Sequence, residues 1–495
     1  MPPTASDSAS TAAAPMLANY VGGAWREPGA VERLETRDPA TGELLAHVPL
    51  SGAAEVDAAV QAASAALPAW RATPAAVRAR ALMKLRAALA EHQQGIAALV
   101  TRDMGKTLDD AFAEVGRGIE SVEAAIGVPH LLKGDTLEQV ARGVDVSMIR
   151  QPVGVVAAIT PFNFPAMIPL WFLPYAIGCG NTFILKPSEQ DPTPARRIIE
   201  IVDAVEEIPP GVVNLVHGAH DAVNAILDHP SIDAVSFVGS ASTARYVATR
   251  AAEQGKRVQA LGGAKNSMVV MPDADPQLLT GGVTQSAFGA AGQRCLAGSV
   301  AVLVGTESEQ DRSRDLLVEA AAKLRTGAGD DPATDVCPVV SPQSRERLES
   351  EIAAAADDGA VVVLDGRTGG GPAGTELKPT ILDRVGDLSR AAREELFGPV
   401  LSLVRVPDLQ AAIAWTNASR YGNSAIIFTS SGGAAREFRF GVQAGMIGVN
   451  IGVAAPVAWF PFAGWKDSID GDLHANGTDA IEFYTRKKVV TERWS

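Results

Sequence analysis

The chain has 495 residues, 47% of them apolar, and a formal net charge of −14. At roughly 150 residues per domain, this length predicts about three domains with large cores and excludes a chain that is disordered throughout. The acidic balance repels polyanions, which excludes nucleic acid and anionic membrane surfaces as partners. Residues 1–15 carry neither a basic start nor an apolar run, and read as a disordered tail rather than a secretory leader. The three cysteines, at 179, 295 and 337, have no metal-binding spacing. An odd, sparse count predicts free thiols, no metal centre and a cytoplasmic location. Without a leader, Asn417-Ala-Ser and Asn476-Gly-Thr carry no weight as glycosylation sites.

Residues 76 to about 127, rich in Ala, Leu, Arg and Glu, predict helices. Gly105-Lys106-Thr107 looks like the end of a phosphate-binding loop, but Val100 stands where the leading glycine belongs, so that motif is rejected. The continuous apolar run 153–160 predicts a buried parallel strand. Residues 166–185 contain no charge and match the ~20 residues a membrane span needs. Pro169, Pro174, Gly178-Cys179-Gly180 and Asn181 interrupt them, which predicts a buried helix, a turn and a buried strand instead. Strands at 182–185, 212–216 and 234–238 then alternate with helices at 195–205 and near 222–227, the pattern of a doubly wound α/β sheet. Such sheets bind ligands beyond the carboxyl ends of their strands. Those ends carry Thr160-Pro-Phe162-Asn163, Lys186-Pro-Ser-Glu189, His217-Gly and Gly239-Ser240. A second α/β block runs from Gly262 to about residue 460, with a first strand at 267–271. Gly369-Gly-Gly-Pro372 reads as a surface loop.

Most free cysteines are small buried hydrophobes, which suits Cys179 and Cys337. Cys295 lies in Gly289-Ala-Ala-Gly292-Gln-Arg294-Cys295-Leu-Ala-Gly298. Flanking glycines let backbone amides approach, and the adjacent Arg294 is expected to favour the thiolate. On these local features, a nucleophile and a buried hydrophobe are about equally supported.

Thr160-Pro-Phe-Asn163-Phe-Pro, Lys186-Pro-Ser-Glu189, Phe237-Val-Gly239-Ser240, Gly292-Gln-Arg-Cys295 and Glu394-Glu395-Leu-Phe397-Gly-Pro occur in this order. Together they resemble the motif series of the aldehyde dehydrogenase superfamily over nearly the whole chain. The resemblance implies an α/β fold. A doubly wound NAD-binding domain (16–133 and 153–260) would precede an α/β catalytic domain (261–465). A small β oligomerisation element (134–152 and 466–495) would build a homodimer or homotetramer. The runs 144–150 and 481–485 alternate like exposed edge strands, which invite pairing.

The resemblance also implies roles. Cys295 attacks the aldehyde, and the Asn163 side chain with the Cys295 N–H receives the oxyanion. NAD accepts the hydride and leaves a thioester. Lys186 and Glu189 meet a ribose, where the carboxylate disfavours the 2′-phosphate of NADP. Thr160, Phe162, Gln190 and Gly262 line the cofactor site, Ser240 faces the pyrophosphate and Glu395 holds the nicotinamide ribose. Ala244 stands where the superfamily often has a glycine.

One departure carries more information than the matches. Hydrolytic members place a glutamate before a Gly-Gly pair to activate water. Here Leu261 precedes Gly262-Gly263, and Ala260 precedes Leu261, so neither can accept a proton. A thiol is the better nucleophile without such a base. This absence, with Gly262-Gly-Ala-Lys-Asn266, Gly448-Val-Asn-Ile451, Phe460-Pro-Phe462-Ala-Gly-Trp-Lys466, Gly471-Asp-Leu-His474 and Phe483-Tyr-Thr-Arg486, is similar to the methylmalonate-semialdehyde dehydrogenase branch, which acylates coenzyme A. The substrates of that branch carry a carboxylate, for which Arg117 and Arg294 are the expected clamp. Gly452 and Ala454-Ala455 replace a more proline-rich stretch of the branch. The alternatives are a hydrolytic dehydrogenase that activates water through another group, and a catalytically silent binding protein on the same fold.

Overall fold

The computed structural model describes residues 14–27, 29 and 32–494, so most of the expected 1–15 tail lies outside the described residues. Two large sheets and one small one organise the chain. The first sheet runs in the order Ala24–Arg26, Asn19–Val21, Val213–Leu215, Thr182–Lys186, Val155–Ile159, Ala234–Val238, Arg257–Leu261 and Ile469–Asp470. Its five central strands are parallel, as runs buried on both faces should be. From Val155–Ile159 the chain winds outward to one side and then returns to the other. That reversal opens a crevice beyond Ile159 and Val238, where sheets of this type take their ligands.

The uncharged run 166–185 folds as the helix Met167–Gly178, a turn, and the strand Thr182–Lys186, all buried. Among the described residues no helix is long and apolar enough to cross a membrane. Helices Ala75–Glu91, Gln93–Met104 and Leu108–Ile126 fill the region expected to be helical, and with Ala53–Ala72, which lies before that region, they pack around this layer. The second sheet, in the order Val361–Leu364, Thr380–Asp383, Val400–Val406, Gly298–Val304, Asn266–Val270, Ser424–Phe428, Met446–Val449, is parallel except at its first edge. The chain crosses from one sheet to the other through residues 262–265, so the Gly262-Gly263 link borders both.

The small antiparallel sheet pairs Val144–Pro152 along its whole length with Thr485–Arg493, with Thr136–Ala141 on the other edge. The expected C-terminal edge strand at 481–485 is corrected. Gly477–Tyr484 is a helix that buries Ile481, Phe483 and Tyr484, and the strand begins at Thr485. Five apolar-rich residues are too few to separate the two periods, and both faces of this helix are covered. The element expected over 466–495 is also narrower in the structure. Ile469–Asp470 joins the first sheet, Trp465–Lys466 pairs with Tyr421–Gly422, and only Thr485–Arg493 enters the small sheet.

Candidate active site

Two chambers meet at one side chain. Cys295 is, among the described residues, the one residue common to their walls. The first chamber, about 320 Å³, is mostly apolar: Phe164, Met167, Trp171, Leu296, Val453 and Phe462 line it, with Arg117 and Arg294 at its polar side. The second, about 560 Å³, is the crevice at the carboxyl ends of the first sheet, and it ends against Glu395 and Phe397.

The turn that presents Cys295 is unusual. Ala290 and Ala291 have φ of 48° and 53°, and Gly292 follows at 67°. Such left-handed residues cost roughly 1–2 kcal/mol each when they carry a Cβ. At Gly292 a Cβ would lie 2.3 Å from the Gly398 carbonyl oxygen, so glycine is obligatory there. Beyond the turn, the Cys295 carbonyl accepts from the amides of Asn266 and Asn423, both at 2.9 Å. In a trans peptide the carbonyl and the next N–H point opposite ways, so this clamp turns the Leu296 N–H away from the second sheet. Neither the Cys295 nor the Leu296 N–H bonds to a protein oxygen among the described residues, and both lower the thiol's proton affinity. Burial outweighs them and pushes the thiol up to about 12, helped by the charge of Glu395. Arg294, expected to favour the thiolate, is paired in the structure. Its guanidinium turns to the Asp110 carboxylate at 2.7 Å and lies over Gly289, where a Cβ would meet it at 2.7 Å. Lys106 on the same chamber wall pulls the thiol down slightly.

Asn163 is buried, and its Nδ2 donates to the Gln293 carbonyl at 3.0 Å, across from the cysteine turn. One N–H of that amide remains for a ligand. The Asn163 carbonyl accepts from Lys106 Nζ at 2.6 Å, and the same ammonium pairs with Glu114 and lies 3.8 Å from the centre of the Phe164 ring. Arg117 reaches the first chamber but is engaged. Its Nη1 donates to Glu120 at 2.7 Å and its Nη2 to the Pro456 carbonyl.

In the second chamber Lys186 Nζ donates to Glu189 at 2.7 Å, with the lysine buried and the carboxylate one-third exposed. Thr160 Oγ1 is buried in the wall with no protein partner. Phe162 meets Phe397 edge-on at 5.7 Å between ring centres. Gln190 lies on the wall, its carbonyl accepting from Thr36 Oγ1 at 2.5 Å. Ser240 caps the helix Ala241–Glu253, whose first two N–H groups bond to no protein oxygen among the described residues. Ala244 is buried against the link; a Cβ on Gly262 would lie 3.5 Å from its own and 2.8 Å from the Asp467 carbonyl oxygen. Glu395 accepts from the Ala264 N–H at 3.1 Å. Burial pushes its carboxyl up to about 7, against the pull of Lys265. A dinucleotide fits this set: open helix-terminal donors for a pyrophosphate, an orphaned hydroxyl, and two carboxylates for ribose hydroxyls. Leu261 is buried and lines neither chamber, and the same holds for Ala260.

Residues 25–490 match the model of the aldehyde dehydrogenase family. The chain belongs to that family. It is 49% identical to malonate-semialdehyde dehydrogenase 1 of Geobacillus kaustophilus, over 97% of this chain and 98% of the relative. Among solved structures it resembles one described as a methylmalonate-semialdehyde dehydrogenase of Sinorhizobium meliloti complexed with NAD, with a TM-score of 0.95 and 43% identity over 97% and 98% of the two chains. The methylmalonate-semialdehyde dehydrogenase of Oceanimonas doudoroffii is equally close in fold, with a TM-score of 0.95, 42% identity and the same coverage.

Sequence reasoning missed four residues of this site. Lys106 was read only as part of a rejected phosphate loop, and Glu114 carried no signal. Asn266 was a marker of the branch with no role, and Asn423 went unread. All four act through the backbone of a neighbouring segment, and no motif spacing reports such contacts.

Proposed function

We propose that this chain is an NAD-dependent, coenzyme A-acylating dehydrogenase of malonate semialdehyde or methylmalonate semialdehyde, yielding acetyl-CoA or propionyl-CoA with loss of carbon dioxide. The observation that carries this reading is the position of Cys295 between two chambers, with no carboxylate at Leu261. In this reading the Cys295 thiolate attacks the aldehyde carbon from the first chamber. The Asn163 amide and the Cys295 N–H donate to the oxyanion, an arrangement whose removal typically costs ~10²–10³ in rate. NAD, bound in the second chamber, supplies the hydride acceptor. Thr160, Phe162, Lys186, Glu189, Gln190, Ser240, Gly262 and Glu395 hold it, and Glu189 disfavours NADP. Arg117 and Arg294 orient the substrate carboxylate. The thioester left on Cys295 then waits for a thiol, because neither Leu261 nor Ala260 can ionise water.

One observation favours a second reading. The Glu395 carboxyl, raised to about 7 in the same chamber as Cys295, is a proton acceptor of the right strength for water. The two readings separate in one experiment. Mixing enzyme, malonate semialdehyde and NAD without CoA should give a burst of NADH near one per active site and then a slow phase. Added CoA should raise the steady rate and yield acyl-CoA by mass spectrometry. Free acid forming at one rate with and without CoA would select the hydrolytic reading. The free cysteines suit a cytoplasmic enzyme. The exposed edges of the small sheet suit a homodimer or homotetramer.

A further inference from the structure

The structure assigns Lys106 and Glu114 as a positioning pair: together they fix the backbone of Asn163 beside Cys295, and the Lys106 ammonium lines the same chamber as that thiol. This rests on the thioester reading above. Lys106 lies just past Gly105, whose φ of 90° ends the helix Gln93–Met104, and Glu114 lies within Leu108–Ile126. Their side chains are 1% and 0% exposed, and both line the first chamber. An ion pair so deeply buried is a poor source of stability, because desolvation of the two charges offsets their attraction. Its geometry is that of a brace. One Lys106 N–H goes to Glu114 and another to the Asn163 carbonyl at 2.6 Å, while the ammonium faces the Phe164 ring. The second Glu114 oxygen accepts from the N–H groups of Ala166 and Met167, at 2.9 and 3.1 Å. The pair therefore grips the segment 163–167 at both ends. The donor that must meet the oxyanion extends from the first residue of that segment.

The same ammonium pulls the proton affinity of Cys295 down, by less than burial and Glu395 push it up. Arg294, sought for that purpose in the sequence, is neutralised by Asp110. Lys106 is also neutralised overall by Glu114, and both line the chamber, with the carboxylate committed to two backbone amides and the ammonium.

The test compares K106M, K106R and K106M/E114Q in the full-length enzyme. The double variant removes both charges, so it folds even where K106M alone leaves Glu114 unpaired and unfolds the chain. Three measurements are made: NAD affinity, the NADH burst rate without CoA, and alkylation of Cys295 by iodoacetamide at pH 8, followed at that peptide by mass spectrometry. Alkylation tracks the thiolate fraction and needs no substrate, so it stays informative if the thioester reading fails. K106M/E114Q should keep NAD affinity, lose about a hundredfold in burst rate, and alkylate about tenfold more slowly, with K106R restoring part of both. A folded charge-free variant that bursts and alkylates like the wild type would overturn the assignment.

Discussion

At the scale of single residues, the site depends on what each side chain is already bonded to. Cys295 lies on the shared wall of the two chambers and makes, among the described residues, no side-chain hydrogen bond that holds the second chamber, so its removal should leave the rest of that chamber intact. Cys295→Ala is expected to abolish the NADH burst while NAD affinity, measured by fluorescence titration, stays within about threefold. The arginines differ. Arg294 is held by Asp110, and Arg117 by Glu120 and Pro456, yet a guanidinium has five N–H groups and each keeps donors for a substrate carboxylate. Replacing either with leucine should raise KM for malonate semialdehyde by roughly ten- to a hundredfold more than KM for propanal, since a charge-assisted hydrogen bond contributes about 1.5–3 kcal/mol. Equal losses for the two aldehydes would mean that the arginines only brace Asp110 and the 451–458 loop.

At the scale of elements, the parallel strands were legible because both of their faces are buried, and a continuous apolar run has no other comfortable home. The interrupted run 166–185 was legible for the same reason: its prolines and glycines mark where helix gives way to strand. What stayed hidden was set by partners distant in sequence. Nothing in two residues such as Ile469–Asp470 announces a strand; they are one because Ala260 and Leu261 offer an open edge. The Lys106–Glu114 pair is likewise chosen by the backbone it must hold. The expected site residues Asn163, Lys186, Glu189, Ser240 and Glu395 lie at or just beyond strand and helix ends and line the second chamber, where sequence spacing is most informative. The small sheet makes its own prediction. Its outer strands leave unpaired edges with Leu137 and Val489 about two-thirds exposed. Light scattering at micromolar concentration should give a mass of two or more chains, and Val489→Asp should lower it.

At the scale of the whole molecule, acid sensitivity should trace to a buried imidazole remote from the nucleophile. His217, at the end of Val213–Leu215, is buried with neither ring nitrogen bonded to a protein group among the described residues. Burial, with Arg196 and Lys186 nearby, pushes it down to about 3. At His217 the folded state thus binds fewer protons than the unfolded one between pH 3 and 6.5. This contribution to stability is full above pH 6.5 and is lost as pH falls through this window, while the raised carboxyls of Asp103 and Glu395 act in the opposite direction. At pH 5 the loss is about 2 kcal/mol. His217→Phe should flatten that slope between pH 7.5 and 5 in urea titrations, and a slope equal to the wild type would assign the acid sensitivity elsewhere.

The left-handed turn before Cys295 also sets how far this protein can drift. Cys179 and Cys337 are completely enclosed, yet their backbones are ordinary, and saturation mutagenesis should find that each accepts alanine or serine. Positions 290 and 291 hold alanine, among the most replaceable of residues, but a β-branched side chain there meets a hand of backbone it rarely adopts. Position 292 accepts nothing, because its missing Cβ is the space occupied by Gly398, on the loop that carries Glu395. The turn that presents Cys295 and the loop that carries Glu395 therefore share a wall with no slack, and a single substitution in one should disturb the other. The substrate-side loop at 451–458 has no such coupling, so divergence in aldehyde preference should collect there while the 289–298 and 394–399 segments stay frozen.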